Sequence, residues 1–183
     1  MSQTNIAVLV GSLRRESFNR QLADGLARLA PQGVSFKQLE IGDLPLYNQD
    51  HDGSPPASVQ RLKADIKAAD GVLFVTPEYN RSVPGVLKNA IDHASRPYGQ
   101  SAFEGKPAGV IGASVGAIGT AMSQQHLRNI LAYLDMPTLG QPEAFIHAKE
   151  GLFDAAGNIG SASKEFLQGW LDRYLAWVKQ HGA

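Results

Sequence analysis

The chain has 183 residues, of which 43 % are hydrophobic, and it carries 17 basic and 17 acidic side chains. This length and composition predict one domain, residues 1–183, with a single full core. Zero formal charge argues against nucleic-acid or anionic-membrane partners, and the absence of cysteine excludes disulfides, thiolate metal sites and a cysteine nucleophile.

Five apolar runs of strand length follow one another along the chain. They cover residues 6–10, 34–39, 71–76, 108–114 and, more weakly, 143–147. The first, third and fourth runs are rich in Val or Ile, which is typical of strands buried on both faces of a parallel sheet. The second alternates, with Val34 and Phe36 on one face, and predicts a more exposed strand near an edge. The first run is far too short to span a bilayer and no basic stretch precedes it, so we expect a cytoplasmic protein.

Segments with helical spacing separate these runs. Their apolar stripes are Phe18, Leu22, Leu26 and Leu29; Val59, Leu62, Ile66 and Ala69; Val83, Val86, Leu87, Ala90 and Ile91; Leu127, Ile130, Leu131 and Leu134; and Leu167, Trp170, Leu171, Tyr174 and Val178. Because parallel strands need a crossover, this alternation predicts an α/β fold of three layers, a five-stranded parallel sheet with helices on both faces. Long connections at 42–57 and 95–107 are candidates for functional loops.

Ligands of open parallel sheets bind outside the carboxyl ends of the strands, so the loops found there are candidate sites. The first loop, GSLRRESFNR, lacks both the Gly-Lys pair of a P-loop and the repeated glycines of a dinucleotide site. Ser12, Ser17 and Asn19 offer donors at a helix N-terminus, which favours a single phosphate, and Arg14 and Arg15 can add charge. The alternative is that Ser17 only caps the helix and both arginines are solvated.

The loop after the third strand, TPEYNRSVPGVLKNAIDH, suits a planar heteroaromatic ligand. Pro77 stiffens the exit from the strand, Tyr79 offers a flat face with a polar tip, and Asn80 can donate and accept. Pro84 suits the first turn of the next helix. The alternative is that Tyr79 packs on its own domain and Glu78 is a surface charge.

The loop after the fourth strand, GASVGAIGT, is rich in glycine. Gly112, Gly116 and Gly119 permit close backbone approach to a ligand edge, and Ser114 can contribute its hydroxyl. Taken alone, this loop is equally explained as a flexible turn. Taken together, the three loops predict a mononucleotide site.

These three segments, in this order and spacing, resemble the flavodoxin-like NAD(P)H-dependent FMN reductases, especially the branch of quinone and chromate reductases. The resemblance covers about residues 4–180, and PEYN followed by S-V-P-G-x-L-K-N-A-I-D is its most specific part. It implies a sheet of order 2-1-3-4-5 and a homodimer or homotetramer with the flavin near a subunit interface. The FMN-binding residues that it implies are Ser12, Arg14, Ser17, Phe18 and Asn19 for the phosphate; Pro77, Glu78, Tyr79 and Asn80 for the ring; and Ser114, Val115 and Gly116 for the other ring edge.

The sequence departs from the pattern of this family at three positions. Arg81 follows PEYN at a variable position, and Thr120 and Met122 stand where relatives often have Gly and Arg. The change at Met122 is expected to weaken a charged contact near the subunit interface. Within the 95–107 connection, Tyr98 or Phe103 can face a neighbouring subunit's flavin or pack on its own domain.

The resemblance implies an oxidoreductase that takes a hydride from NADPH or NADH onto FMN and then passes two electrons to a quinone, free flavin or similar acceptor, in a ping-pong cycle. No catalytic side chain is assigned, since the cofactor carries the chemistry, and the histidines lack metal-ligand spacing. A single-electron carrier of the flavodoxin type is the alternative, but carriers of that kind are typically strongly acidic and this chain is neutral. A flavin-binding module without turnover is a third hypothesis.

Overall fold

A parallel β-sheet lies at the centre of the protein, in a computed structural model that describes residues 3–182. Its strands are β1 (Thr4–Val10), β2 (Val34–Gln38), β3 (Gly71–Val75), β4 (Ala108–Ser114) and β5 (Phe145–His147). The helices are α1 (Phe18–Leu29), α2 (Ala57–Lys67), α3 (Gly85–Ser95), α4 (Ala121–Tyr133) and α5 (Ser161–His181), with one 3-10 turn at Gln49–His51. The strand order β2-β1-β3-β4-β5 confirms the predicted flavodoxin-like fold.

The predicted helices end earlier or begin later than their apolar stripes at three places. Ala69 lies beyond the end of α2, although its side chain is buried. Val83 precedes α3, because a residue before proline avoids helical dihedral angles and Pro84 follows it. Leu134 caps α4, which ends where Asp135 takes a φ of 56°.

Two apolar cores lie on the two faces of the sheet, and β1 shows how they are divided. Side chains of a strand alternate between faces. Ile6, Val8 and Val10 join the core beneath α1 and α5, whereas Ala7 and Leu9 join the core beneath α2, α3 and α4. At the sheet edge, β2 is only partly buried, as its alternating pattern predicts.

Helix α5 packs closely on the sheet because glycines in two strands make room for its large side chains. A Cβ atom at Gly109 of β4 would lie 2.6 Å from Cδ2 of Tyr174, and one at Gly71 of β3 would lie 2.7 Å from Cγ2 of Val178. The Tyr174 ring stacks on Trp170 with 5.6 Å between centroids. The Tyr174 hydroxyl is fully buried and finds no hydrogen-bond partner within residues 3–182.

Candidate active site

The three predicted ligand loops leave the carboxyl ends of β1, β3 and β4 at one edge of the sheet and contact one another. The Gly11 N–H donates to the carbonyl of Val75 at 2.9 Å. A Cβ atom at Gly11 would lie 3.1 Å from Cδ of Pro77, so glycine permits the first and second loops to approach. All twelve predicted FMN-binding residues lie in these loops or in the first turn of α1.

The first loop presents free backbone N–H groups at the start of α1. Ser17 caps this helix, because its Oγ accepts from the N–H of Arg20 at 3.3 Å, and both Ser12 and Ser17 are buried. Within the described residues, the N–H groups of 15–19 donate to no protein atom. The guanidinium of Arg14 lies 5.3 Å from the ring centroid of Phe18. The loop is therefore a positively polarised cradle for an anion.

Asn19 connects this loop to β4. Its Nδ2 donates to the carbonyl of Ala113 and its Oδ1 accepts from the N–H of Ala113, both at 2.9 Å. The side chain is buried, so its amide serves the protein structure first. Its assignment to the phosphate stays a prediction, which rests on the backbone N–H and the remaining Nδ2 proton.

The second loop contains a tight turn that exposes Tyr79. The N–H groups of Tyr79 and Ser82 each donate to the carbonyl of the other, at 3.1 and 3.0 Å. Between them, Asn80 and Arg81 take φ values of 52° and 63°, the positive pair of a type I′ turn. Tyr79 is 52 % exposed, so much of its surface is free to contact a ligand.

Glu78 joins the second loop to α4 and is not a surface charge. Its side chain is only 11 % exposed. The Oε2 atom accepts from the N–H groups of Met122 and Ser123, at 3.0 and 3.2 Å. A carboxylate at a helix N-terminus pairs with the free N–H groups and with the positive end of the helix dipole. Glu78 therefore fixes the position of the loop that carries Tyr79.

The third loop turns its backbone outward. The hydroxyl of Ser114 donates to the carbonyls of Gly116 and Gly119, at 3.2 and 2.5 Å, so it shapes the loop itself. The N–H groups of 115–118 donate to no acceptor within the part of the chain described, and Val115 is 72 % exposed. This run can therefore donate to a polar ring edge.

A buried polar cluster outside the predicted binding residues lies beneath the second and third loops. Thr76 Oγ1 and Ser123 Oγ are 3.0 Å apart, and Gln124 Nε2 donates to Thr120 Oγ1 at 3.0 Å. All four side chains are fully buried. The signal in the sequence was that Ser123 and Gln124 fall on the same face of α4 as its apolar stripe, where polar residues need partners.

The two long connections differ in their roles. In the 42–57 connection, Pro45 is held by α3, because its carbonyl accepts from Nδ2 of Asn89 and bonds Nε2 of His93, both at 2.8 Å. In the 95–107 connection, Phe103 is fully buried with its ring 6.0 Å from that of Phe74, so it packs on its own domain. Tyr98 is 86 % exposed.

One ion pair near this edge lies outside the three loops. Arg61 donates to both carboxylate oxygens of Asp43, at 2.8 and 3.0 Å, and this contact lowers the pKa of Asp43. In residues 3–182, no group of three or more His, Asp or Glu side chains is placed to hold a metal ion. No helix among the same residues is long and apolar enough to cross a membrane.

The donor set fits a phosphorylated planar ring. Two runs of free N–H groups, at 15–19 and 115–118, lie on loops at the same sheet edge as the exposed ring of Tyr79. One run is at a helix N-terminus, as a phosphate requires, and the other can meet the polar edge of a flavin. The fold and this site define a flavodoxin-like mononucleotide-binding protein.

Comparison with known proteins gives the family. A model of the NADPH-dependent FMN reductases matches residues 4–151, and the chain belongs to this family. A 2-hydroxy-1,4-benzoquinone reductase from Burkholderia sp. is 57 % identical over 175 residues, covering 95 % of this chain and 96 % of the relative. A quinone reductase from Pseudomonas putida is 50 % identical over 185 residues and covers 100 % of both chains.

A solved structure has the same architecture. FerB, a flavoenzyme NAD(P)H:(acceptor) oxidoreductase from Paracoccus denitrificans, superposes with a TM-score of 0.94 at 46 % identity. The match covers 98 % of this chain and 100 % of FerB. The predicted enzyme class, an NAD(P)H-dependent FMN reductase, is therefore confirmed.

Proposed function

We propose that this enzyme uses bound FMN to pass two electrons from NAD(P)H to a quinone. The observation that carries the proposal is the pair of free N–H runs, 15–19 and 115–118, on loops at the same sheet edge as the exposed Tyr79. Bound FMN supplies the redox chemistry, since it accepts a hydride and yields two electrons to an acceptor. Relatives named quinone reductases support the choice of acceptor, and nothing in them supports a single-electron carrier.

We assign the phosphate of FMN to the first loop. The N–H groups of 15–19 and the buried hydroxyls of Ser12 and Ser17 would donate to it, and Arg14 would add charge from its place over Phe18. In this assignment Asn19 mainly holds α1 against β4, and so keeps the cradle in place.

We assign the flavin ring to the second and third loops. Tyr79 and Asn80 would form one wall, with Pro77 buried behind them and Glu78 holding their loop on α4. Val115, Gly116 and Ser114 would meet the other edge through the backbone. The chain's own residues thus orient the ring and keep its donors fixed, and no side chain is required as an acid or base.

We further propose a homodimer or homotetramer of one domain, residues 1–183, located in the cytoplasm. The NAD(P)H requirement supports the location, and the exposed rings of Tyr98 and Tyr133 support association.

Free flavin and chromate are further candidate acceptors of the electrons. Met122 is 43 % exposed, which leaves its proposed effect on the subunit interface open to test. A monomer by light scattering at micromolar concentration would contradict the assembly.

The test of the function is anaerobic stopped-flow absorbance of the FMN-loaded protein. Mixing with NADPH or NADH should bleach the flavin band, and subsequent 1,4-benzoquinone should restore it with a stoichiometry of two electrons. The faster nicotinamide identifies the preferred donor. Protein that binds FMN but is bleached by neither nicotinamide would contradict the proposal and favour a carrier or binding module.

A further inference from the structure

Arg81 occupies a backbone conformation that its side chain does not favour. It is the second central residue of the Tyr79–Ser82 turn, with φ at 63°, and Asn80 precedes it at 52°. A type I′ turn is best served by Asn-Gly, since a side chain at positive φ is strained. Strain of this kind is often retained at functional sites, so the guanidinium is a candidate for a role that glycine would lose.

The turn holds Arg81 in a fixed place beside the proposed ring site. Ser82 Oγ lies 3.0 Å from Nδ1 of His126 on α4. On the other side of the turn, Glu78 accepts from two N–H groups of the same helix. Contacts with α4 on both sides of Arg81 therefore fix the backbone from which its side chain projects.

The guanidinium of Arg81 is exposed and available to a ligand. Its side chain is 73 % exposed, and within residues 3–182 it donates no hydrogen bond to a protein acceptor. The nearest carboxylate oxygen, Oε1 of Glu78, is 3.6 Å away and belongs to a group already bonded to α4. Glu78 thus forms an ion pair with one side of the guanidinium at 3.6 Å, and His126 is bonded to the neighbouring Ser82. Neither accepts a hydrogen bond from Arg81 among the described residues.

We propose that Arg81 selects hydroxyquinones, in their ionised form, as the electron acceptors of this enzyme; the inference rests on the proposed function. An enolic hydroxyl conjugated to a quinone carbonyl is a vinylogous acid and is ionised at neutral pH. In 2-hydroxy-1,4-benzoquinone the ionised oxygen is next to a carbonyl oxygen, and this pair matches the planar fork of an arginine. The oxygens of 1,4-benzoquinone lie at opposite ends of the ring and cannot form such a pair.

The relative with 57 % identity is named for a 2-hydroxy-1,4-benzoquinone substrate, which agrees with this acceptor class.

The overall reaction with a hydroxyquinone balances in atoms and charge. The hydroxyquinone anion takes a hydride equivalent from NAD(P)H and two protons from solvent, which gives neutral benzene-1,2,4-triol and NAD(P)⁺. The unsubstituted quinone takes the hydride equivalent and one proton.

The test compares steady-state kcat/KM for 2-hydroxy-1,4-benzoquinone and 1,4-benzoquinone in the FMN-loaded enzyme. Arg81→Gly removes the guanidinium and creates the favoured Asn-Gly turn, so it tests the side chain without disturbing the fold. We expect the ratio of the two kcat/KM values to fall about tenfold, through KM for the hydroxyquinone, since charge-assisted hydrogen bonds are the stronger ones. Arg81→Lys keeps the charge without the fork and should give an intermediate ratio.

Acidification adds a readout that a structural role would not change. The difference between the wild-type and Arg81→Gly ratios should disappear as the hydroxyquinone becomes neutral, because the neutral form offers the guanidinium no anionic oxygen. A change with pH that both enzymes share reflects the reactivity of the quinone itself. Arg173→Met, which removes an exposed arginine on α5, is the matched control and should keep the wild-type ratio at every pH. Turnover with an unchanged ratio in Arg81→Gly overturns the inference alone; a lack of turnover with both quinones overturns the proposed function as well.

Discussion

Tyr174 is the residue for which burial has the clearest consequence for stability. Complete burial raises the pKa of its hydroxyl well above the usual value of about 10. Above that pH the unfolded chain loses a proton that the folded protein keeps, so the free energy of unfolding should fall by about 1.4 kcal/mol per pH unit.

Tyr174→Phe should remove this alkaline loss and, because the hydroxyl is unpartnered, raise the free energy of unfolding at pH 7 by about 1 kcal/mol. Urea unfolding at a series of pH values between 8 and about 11 measures both effects. Tyr133→Phe, at a 74 % exposed position, is the control. An identical alkaline slope in the wild type and in Tyr174→Phe would contradict the assignment.

Substitution of Asn19 can distinguish a structural role of its side chain from a role in binding the cofactor. Asn19→Ala leaves the N–H and the carbonyl of Ala113 buried without partners, so we expect a loss of about 2 kcal/mol in the free energy of unfolding of the FMN-free protein. Urea unfolding measures it, with Gln21→Ala as a control on the same helix. Weaker FMN binding with no loss of stability would instead make the amide a direct ligand.

At the scale of elements, Glu78 holds the second loop against the N-terminus of α4. Glu78→Ala should lower the free energy of unfolding of the FMN-free protein by about 1 to 2 kcal/mol, because two N–H groups at the start of α4 lose their acceptor. Glu78→Gln keeps an acceptor and should lose less. Chemical denaturation measures the series, and Glu104→Ala, at an exposed acid, is the control. Equal stability of all four proteins would show that the cap contributes nothing.

At the scale of the whole molecule, FMN should stabilise the fold by mass action. At a ligand concentration of about 100 times Kd, the free energy of unfolding should rise by about 2.7 kcal/mol. Riboflavin at the same concentration should raise the melting temperature far less, because it has no phosphate for the N–H groups of 15–19. Arg14→Met should reduce the difference between the two ligands. Equal thermal shifts from FMN and riboflavin would contradict the phosphate assignment.

The global fold could be predicted from the sequence because buried parallel strands and amphipathic helices have distinct periods. Within residues 3–182, all five strands and all five helices lie where apolar spacing indicates them. The roles of Asn19 and Glu78 could not be predicted, since each depends on a backbone group 94 or at least 44 positions away that only the folded chain brings near. The strain at Arg81 was equally hidden, because a turn type follows from dihedral angles rather than from residue names.

The buried polar cluster under the third loop has a consequence for how this sequence can diverge. A Cβ atom at Gly112 would lie 2.0 Å from the backbone oxygen of Thr76 and 2.2 Å from Oγ1 of Thr120, and the latter oxygen accepts from the side-chain amide of Gln124. No side-chain replacement relieves the overlap with the Thr76 backbone, so Gly112 should be retained among descendants of this chain. Thr120 and Gln124 are hydrogen-bonded to each other in a buried place and should change together, while exposed neighbours such as Val115 drift independently.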